Sequence, residues 1–112
     1  LIHAKIWKSE VFGTSGKMVP VFFLDTLHEK NSPEHQELGL TLYGGDDSTR
    51  IRQEYLLGVG GLRGLEKLGF KLSGLHLNEG HCTFALLEML KNEEIKIKQK
   101  KSFGEIKIMK VH

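Results

Sequence analysis

Asn78, Glu79 and His81 are the residues whose types and spacing are best suited to chemistry. They lie where a short alternating run, Gly74-Leu75-His76-Leu77-Asn78, gives way through Glu79-Gly80 to a stretch of helical spacing from His81 to Lys91. Open α/β sheets bind ligands at such strand-to-helix turns, where the first helical N–H groups point into the crevice and suit a phosphate or a hydroxyl-rich molecule. Asn78 offers an amide for hydroxyl recognition, Glu79 a carboxylate acceptor, and His81 a ring that donates or accepts near neutral pH. A plainer role is open to the same residues: Asn78 caps the helix and His81 packs.

Other chemistries fit less well. His76, Glu79 and His81 do not make a metal set, because alternation along the strand need not bring His76 to the side that His81 occupies. The zinc-protease pattern, with its histidines four apart on one helix, is absent as well. Gly58-Val59-Gly60-Gly61 does not directly follow a strand, so it is not a dinucleotide fingerprint. Cys82, the single cysteine, reads as a buried inert thiol and can form no internal disulfide, which fits a reducing, cytoplasmic setting. No apolar run approaches the roughly 20 residues of a membrane helix. The net charge of +2 conceals an asymmetry, since residues 1–90 carry nine Lys/Arg against eleven Asp/Glu and residues 91–112 seven Lys against three Glu. A short basic tail is a solvated face rather than a nucleic-acid footprint.

The positioning elements follow from periodicity. Ile2 to Lys8 alternates as a half-buried strand, Gly13 to Lys17 reads as a turn, and the apolar run Val19 to Leu24 is expected as a strand buried on both faces. Ser32-Pro33 marks a short helix, with Ser32 as cap and Pro33 at the first helical position. Tyr43 to Asp47 is a loop, after which Asp47 or Ser48 caps a helix whose apolar face is Ile51, Tyr55, Val59, Leu62, Leu65 and Leu68. Gly69 stops it. Four glycines inside that helix, Gly58, Gly60, Gly61 and Gly64, each disfavour it by about 1 kcal/mol, so its backbone is expected to approach a neighbouring sheet closely, or to break near Gly60-Gly61. The resulting β-α-β-α order favours an α/β fold with helices packed on a parallel sheet. Ile95 to Lys98 and Glu105 to Ile108 alternate again, which admits a terminal hairpin, with little order expected beyond Asn92 if the two segments do not pair.

Four ordered blocks resemble the α-glucan (glycogen, starch or maltodextrin) phosphorylases, and most closely their shorter prokaryotic-type branch. They are Val19-Pro20-Val21-Phe22-Phe23-Leu24-Asp25-Thr26, Leu42-Tyr43-Gly44-Gly45-Asp46, Arg50-Ile51-Arg52-Gln53-Glu54 and His76-Leu77-Asn78-Glu79-Gly80-His81. The resemblance runs from about Ile2 to Leu90. It implies an α/β fold, part of a Rossmann-like parallel-sheet domain of a GT-B type glycosyltransferase that cleaves α-1,4-glucan with phosphate to give glucose 1-phosphate, pyridoxal phosphate acting through its phosphate group. By that likeness Asn78, Glu79 and His81 bind substrate on the N-domain wall of the cleft, and Gly44, Gly45 and Asp46 belong to its gating loop. The Arg50 to Glu54 stretch is expected to tie helix and loop together rather than to touch sugar.

The departures shape the expectation. Residues 1–91 resemble a fragment of the phosphorylase N-terminal domain, whereas 92–112 form a basic tail unlike the family continuation, as in a truncated or frame-altered product. The glucose-contacting histidine that follows this turn in the family has no counterpart after Leu90. The cofactor lysine and phosphate-binding residues belong to a second domain that these 112 residues do not contain. No pyridoxal phosphate is therefore expected on this chain, which reads as inactive alone, its partners being α-1,4-glucan or maltooligosaccharide. The competing reading is a non-catalytic sugar-binding or partner-binding module built on the same turn.

Overall fold

The alternating segment near the start of the chain and the apolar run after it pair with each other. In the computed structural model, which describes residues 1–41, 45–98 and 107–111, β1 (Lys5–Phe12) and β2 (Met18–Asp25) form an antiparallel hairpin with Trp7 opposite Phe23. The turn is closed by Gly13 N–H donating to the Lys17 carbonyl and Gly16 N–H to that of Gly13, with Gly16 at a φ of 77°. The expectation that β2 is buried on both faces is not met. Its neighbour is β1, and a two-stranded ribbon leaves both faces open, so Val19 and Phe23 are each more than half exposed.

The chain divides into two units, residues 1–49 and 50–112. The first is organised around polar groups. Thr26, wholly buried, donates through Oγ1 to the Gln36 carbonyl and accepts from Gly39 N–H. Asn31 donates to the carbonyls of His3 and Thr26 and accepts from His3 N–H, which saturates a buried amide that would otherwise be costly. Helix α1 (Pro33–Glu37) starts as the residues dictate: Ser32 Oγ accepts from His35 N–H, and Pro33 occupies the first turn.

Helix α2 (Asp47–Tyr55) begins one residue earlier in its capping than expected. Asp46, not Asp47 or Ser48, is the cap: its Oδ1 accepts from Thr49 N–H at 2.8 Å and from Thr49 Oγ1 at 2.9 Å. The glycine-rich segment neither breaks the helix nor continues it as α. Leu56–Gly60 is a π-helical turn, followed without interruption by α3 (Gly61–Lys67). The stop at Gly69 has the two-bond pattern of a glycine-terminated helix: Phe70 N–H donates to the Leu65 carbonyl and Gly69 N–H to that of Glu66, with Gly69 at a φ of 87°.

In the second unit β3 (Gly74–Asn78) leads through a 3-10 turn (Gly80–Cys82) into α4 (Thr83–Lys98), and β4 (Lys107–Val111) pairs with β3 in parallel, Asn78 opposite Val111. A parallel pair requires a crossover, and α4 is that crossover. The fold is thus mixed α/β, with one antiparallel and one parallel two-stranded sheet among the described residues. The parallel partner of β3 is β4 rather than the earlier apolar strand. The terminal hairpin is also overturned, because Ile95 to Lys98 prolong α4 past Asn92. Two β-branched isoleucines cost little helix propensity and, with two lysines, do not interrupt a helix already propagating.

Among the described residues of this unit, Val59, Leu62, Leu77 and Ala85 are the buried apolar side chains. The glycine-rich turn and α3 pack on α4, not on a sheet. Ile51, Tyr55 and Leu68, placed on the apolar face by periodicity, are half exposed, so burial is confined to the middle of that face. No helix among the described residues is long and apolar enough to cross a membrane.

Candidate functional site

The turn after β3 is held by an unusual backbone. Glu79 has φ 56° and ψ −154°, a region almost reserved for glycine, while Gly80 beside it carries no such strain. Glu79 occupies the cap position of the 3-10 turn without making a side-chain capping bond, and Thr83 Oγ1 donates to the Gly80 carbonyl at 2.8 Å. The plainer role, in which Asn78 caps the helix, is therefore not what forms. Asn78 stands exposed at the carboxyl end of β3, Glu79 is exposed and His81 is half-buried.

Two carboxylates flank the His81 ring. Nε2 lies 3.5 Å from Glu79 Oε2, and Nδ1 lies 3.4 Å from Oε1 of Glu54, on α2. The same Glu54 oxygen accepts from Arg50 Nε at 3.1 Å, one helical turn away. Glu54 is followed by Tyr55, whose ring meets Phe84 edge-on at 5.5 Å, and then by the π turn whose Gly58 abuts the start of α4. Asn78, Glu79 and His81 are candidates from their residue types and spacing, whereas nothing in the sequence places Glu54 beside His81. The legible signal of Glu54 is the four-residue spacing from Arg50; the approach to His81 is tertiary and leaves no trace in the spacing.

Of the loop residues, Gly44 lies outside the described residues. Gly45 has φ 94°, and a Cβ there would meet Thr49 at 2.9 Å, so the position takes glycine on both counts. Asp46 is engaged as the cap of α2. Cys82 is half-buried rather than buried, at the end of the short turn. Among the described residues no group of three or more His, Cys, Asp or Glu is arranged to hold a metal ion.

Behind the turn, Arg63 of α3 donates through Nε to Glu88 of α4 at 2.6 Å. That bond holds the buried Glu88 carboxyl below its ordinary value against the opposing effect of burial, and it raises Arg63 in turn. This pair ties α3 to α4, the helix whose start carries the turn.

The chain is 39% identical over 84 residues to the maltodextrin phosphorylase of Thermococcus litoralis, an alignment covering 75% of this chain and 10% of that protein. It is 35% identical over 86 residues to the glycogen phosphorylase of Aquifex aeolicus, covering 77% of this chain and 12% of the relative. The Mycobacterium tuberculosis glycogen phosphorylase is 35% identical over 97 residues, covering 81% and 10%. No family profile and no solved structure matches. The chain is a relative of the glycogen and maltodextrin phosphorylases, and it spans about a tenth of the length of the curated relatives it matches.

Proposed function

We propose that this chain forms one wall of an α-glucan-binding cleft of the phosphorylase type, on which Asn78, Glu79 and His81 contact sugar hydroxyls. The observation that carries the reading is the grouping of these three residues at the carboxyl end of β3, beside a parallel neighbour, where open α/β sheets take their ligands. In the wider reading the β3-α4-β4 crossover belongs to a Rossmann-like sheet of a GT-B type enzyme. Residues 1–91 then belong to the N-terminal domain and 92–112 depart from the family pattern. Gly44, Gly45 and Asp46 act as the gating loop, with Gly45 supplying the hinge geometry. The setting is cytoplasmic, in keeping with a lone cysteine.

In a whole enzyme of this type the reaction is phosphorolysis, in which inorganic phosphate takes the terminal glucosyl group of an α-1,4-glucan to give glucose 1-phosphate, and bound pyridoxal phosphate would assist through its own phosphate group. The residues of this turn do not fit that cofactor. Glu54 and Glu79 surround His81 with negative charge, and Arg50, the cation at hand, is engaged by Glu54, so a phosphate would meet repulsion. What the turn can do is bind hydroxyls. Asn78 donates and accepts through its amide, and the Glu79 carboxylate accepts.

Calorimetric titration of the chain with maltoheptaose tests this. The expected result is saturable binding in the millimolar range, about 4 kcal/mol, lost in Asn78→Ala and His81→Ala, with no glucose 1-phosphate formed from maltodextrin and phosphate. Absence of saturable binding overturns the sugar-wall reading. Turnover that His81→Ala abolishes overturns the expectation of inactivity and makes the chain a minimal enzyme.

A further inference from the structure

The turn at Gly13 fixes which way the backbone of β1 faces. Gly13 donates its N–H to the Lys17 carbonyl and accepts from Gly16 N–H, so both of its polar groups point at β2. In an antiparallel pair such positions recur at every second residue. The N–H and C=O groups of Val11, Ser9 and Trp7 are thereby directed inward, and those of Phe12, Glu10, Lys8 and Ile6 to the outer edge of β1. All eight residues of β1 are exposed, and among the described residues no further strand lies beside it. The same alternation turns Pro20, opposite Glu10, toward the outer edge of β2, where its missing N–H removes a donor. The hairpin thus has one blunted edge and one edge able to pair.

We propose that the open edge of β1 pairs with the β1 edge of a second copy of this chain, antiparallel about a two-fold axis at Ser9. Charge complementarity selects that register. Two such edges bond only where outward-facing residues meet outward-facing ones. With Ser9 opposite Ser9, Lys8 stands opposite Glu10 of the second copy and Glu10 opposite its Lys8, while Trp7 meets Val11, an aromatic and β-branched pair. A shift of two residues in either direction sets Lys8 against Lys8 or Glu10 against Glu10, and like charges directly opposite are destabilising. Lys8 Nζ donates to Glu10 Oε1 at 2.9 Å within the strand, so the dimer closes a ring of four alternating charges. Pairing stops at two copies, because Pro20 guards the far edge and the strand order β2-β1-β1-β2 is closed by symmetry. The inference lies in the first unit and is independent of the sugar-wall reading.

Sedimentation equilibrium of the full chain tests this, over a concentration range reaching about 1 mM because an interface of one strand edge is of the weak class. The expected result is a monomer–dimer equilibrium with a Kd of about 0.1 mM and no larger species. Lys8→Glu and Glu10→Lys each weaken dimerisation about tenfold, and an equimolar mixture of the two variants restores it, since each then meets opposite charges. Lys8→Pro abolishes it and keeps the hairpin, as the N–H removed does not face β2. The register is read separately in a Cys82→Ser background. Ser9 meets its own copy in a non-hydrogen-bonded pair, with Cα atoms about 4.5 Å apart, so oxidised glutathione links Ser9→Cys into a disulfide dimer. Val11→Cys, likewise exposed, is not linked. A wild-type chain that stays monomeric at the highest concentration overturns the proposal. So does a dimer indifferent to Lys8→Glu and Lys8→Pro, growth past two copies, or linkage of Val11→Cys in place of Ser9→Cys. The disulfide result stands whether or not the charge variants fold.

Discussion

Gly58 lies so close to the start of α4 that a Cβ on it would meet the Ala85 amide nitrogen at 2.7 Å and the Phe84 Cβ at 2.9 Å. Both atoms belong to the part of α4 that has least room to move, since one is backbone and the other is joined directly to it. The glycine is therefore the reason the π turn can lie against α4, and it sits four residues after Glu54, on the segment that delivers that carboxylate to His81.

Gly58→Ala should consequently destabilise the second unit by about 1–3 kcal/mol, the usual effect of overpacking. Gly61 is the contrast. Its φ is −61°, nothing lies within 4 Å of a Cβ built there, and Gly61→Ala should be neutral or stabilising by up to about 1 kcal/mol. Urea titrations of the two variants decide it, and equal destabilisation of both would remove the close-packing argument.

Much of this is legible in the residues themselves. The Ser32-Pro33 start, the Gly13 to Lys17 turn, the Gly69 stop and the β3-turn-helix order depend on backbone chemistry local to a few residues, which sequence spells out. The expectation of close approach in the glycine-rich helix was right in kind and wrong in partner. Glycine spacing says that something comes near, and only the tertiary structure says that it is α4 at Gly58 and nothing at Gly61. The strain at Glu79 was unreadable for the opposite reason. A glycine stands next to it, and local preference assigns the unusual φ to Gly80.

Leu62, 4% exposed, is the most deeply buried residue of α3. Leu62→Asp should unfold the second unit, because an unpaired carboxylate there has no compensating partner, and Leu62→Ala should cost about 2–5 kcal/mol. Leu87→Asp on α4, where the side chain is 57% exposed, should change stability by no more than about 0.5 kcal/mol. Far-ultraviolet circular dichroism under denaturant separates these outcomes. An unaltered melting curve for Leu62→Asp would show that α3 is not part of the core.

Glu88 gives the second unit an acid dependence of definite sign. The Arg63 bond lowers its folded pKa below the ordinary carboxylate value, so the ionised form is favoured on folding. The stabilisation is fully present above the unfolded carboxylate value and is lost as pH falls through the lower, folded one. Glu88→Gln should flatten that part of the curve of urea midpoint against pH, and Arg63→Gln should do the same. Retention of the full acid slope in both variants would place its origin elsewhere.

The strain at Glu79 can be measured because two substitutions remove the same carboxylate but treat the backbone differently. Glu79→Ala keeps a Cβ at φ 56° and ψ −154°, so the strain of about 1–3 kcal/mol stays in the folded state. Glu79→Gly relieves it, at an offsetting cost of about 0.5–1 kcal/mol for the greater freedom of glycine in the unfolded chain. The glycine variant should therefore be more stable than the alanine variant by about 1 kcal/mol, as urea midpoints will read. Both variants should bind maltoheptaose more weakly than wild type, since both lack Oε2 beside Nε2 of His81. A glycine variant no more stable than the alanine one would mean that the turn holds no strain at this residue. A stabilised glycine variant that keeps full affinity would mean that the strained backbone serves something other than the placement of this carboxylate.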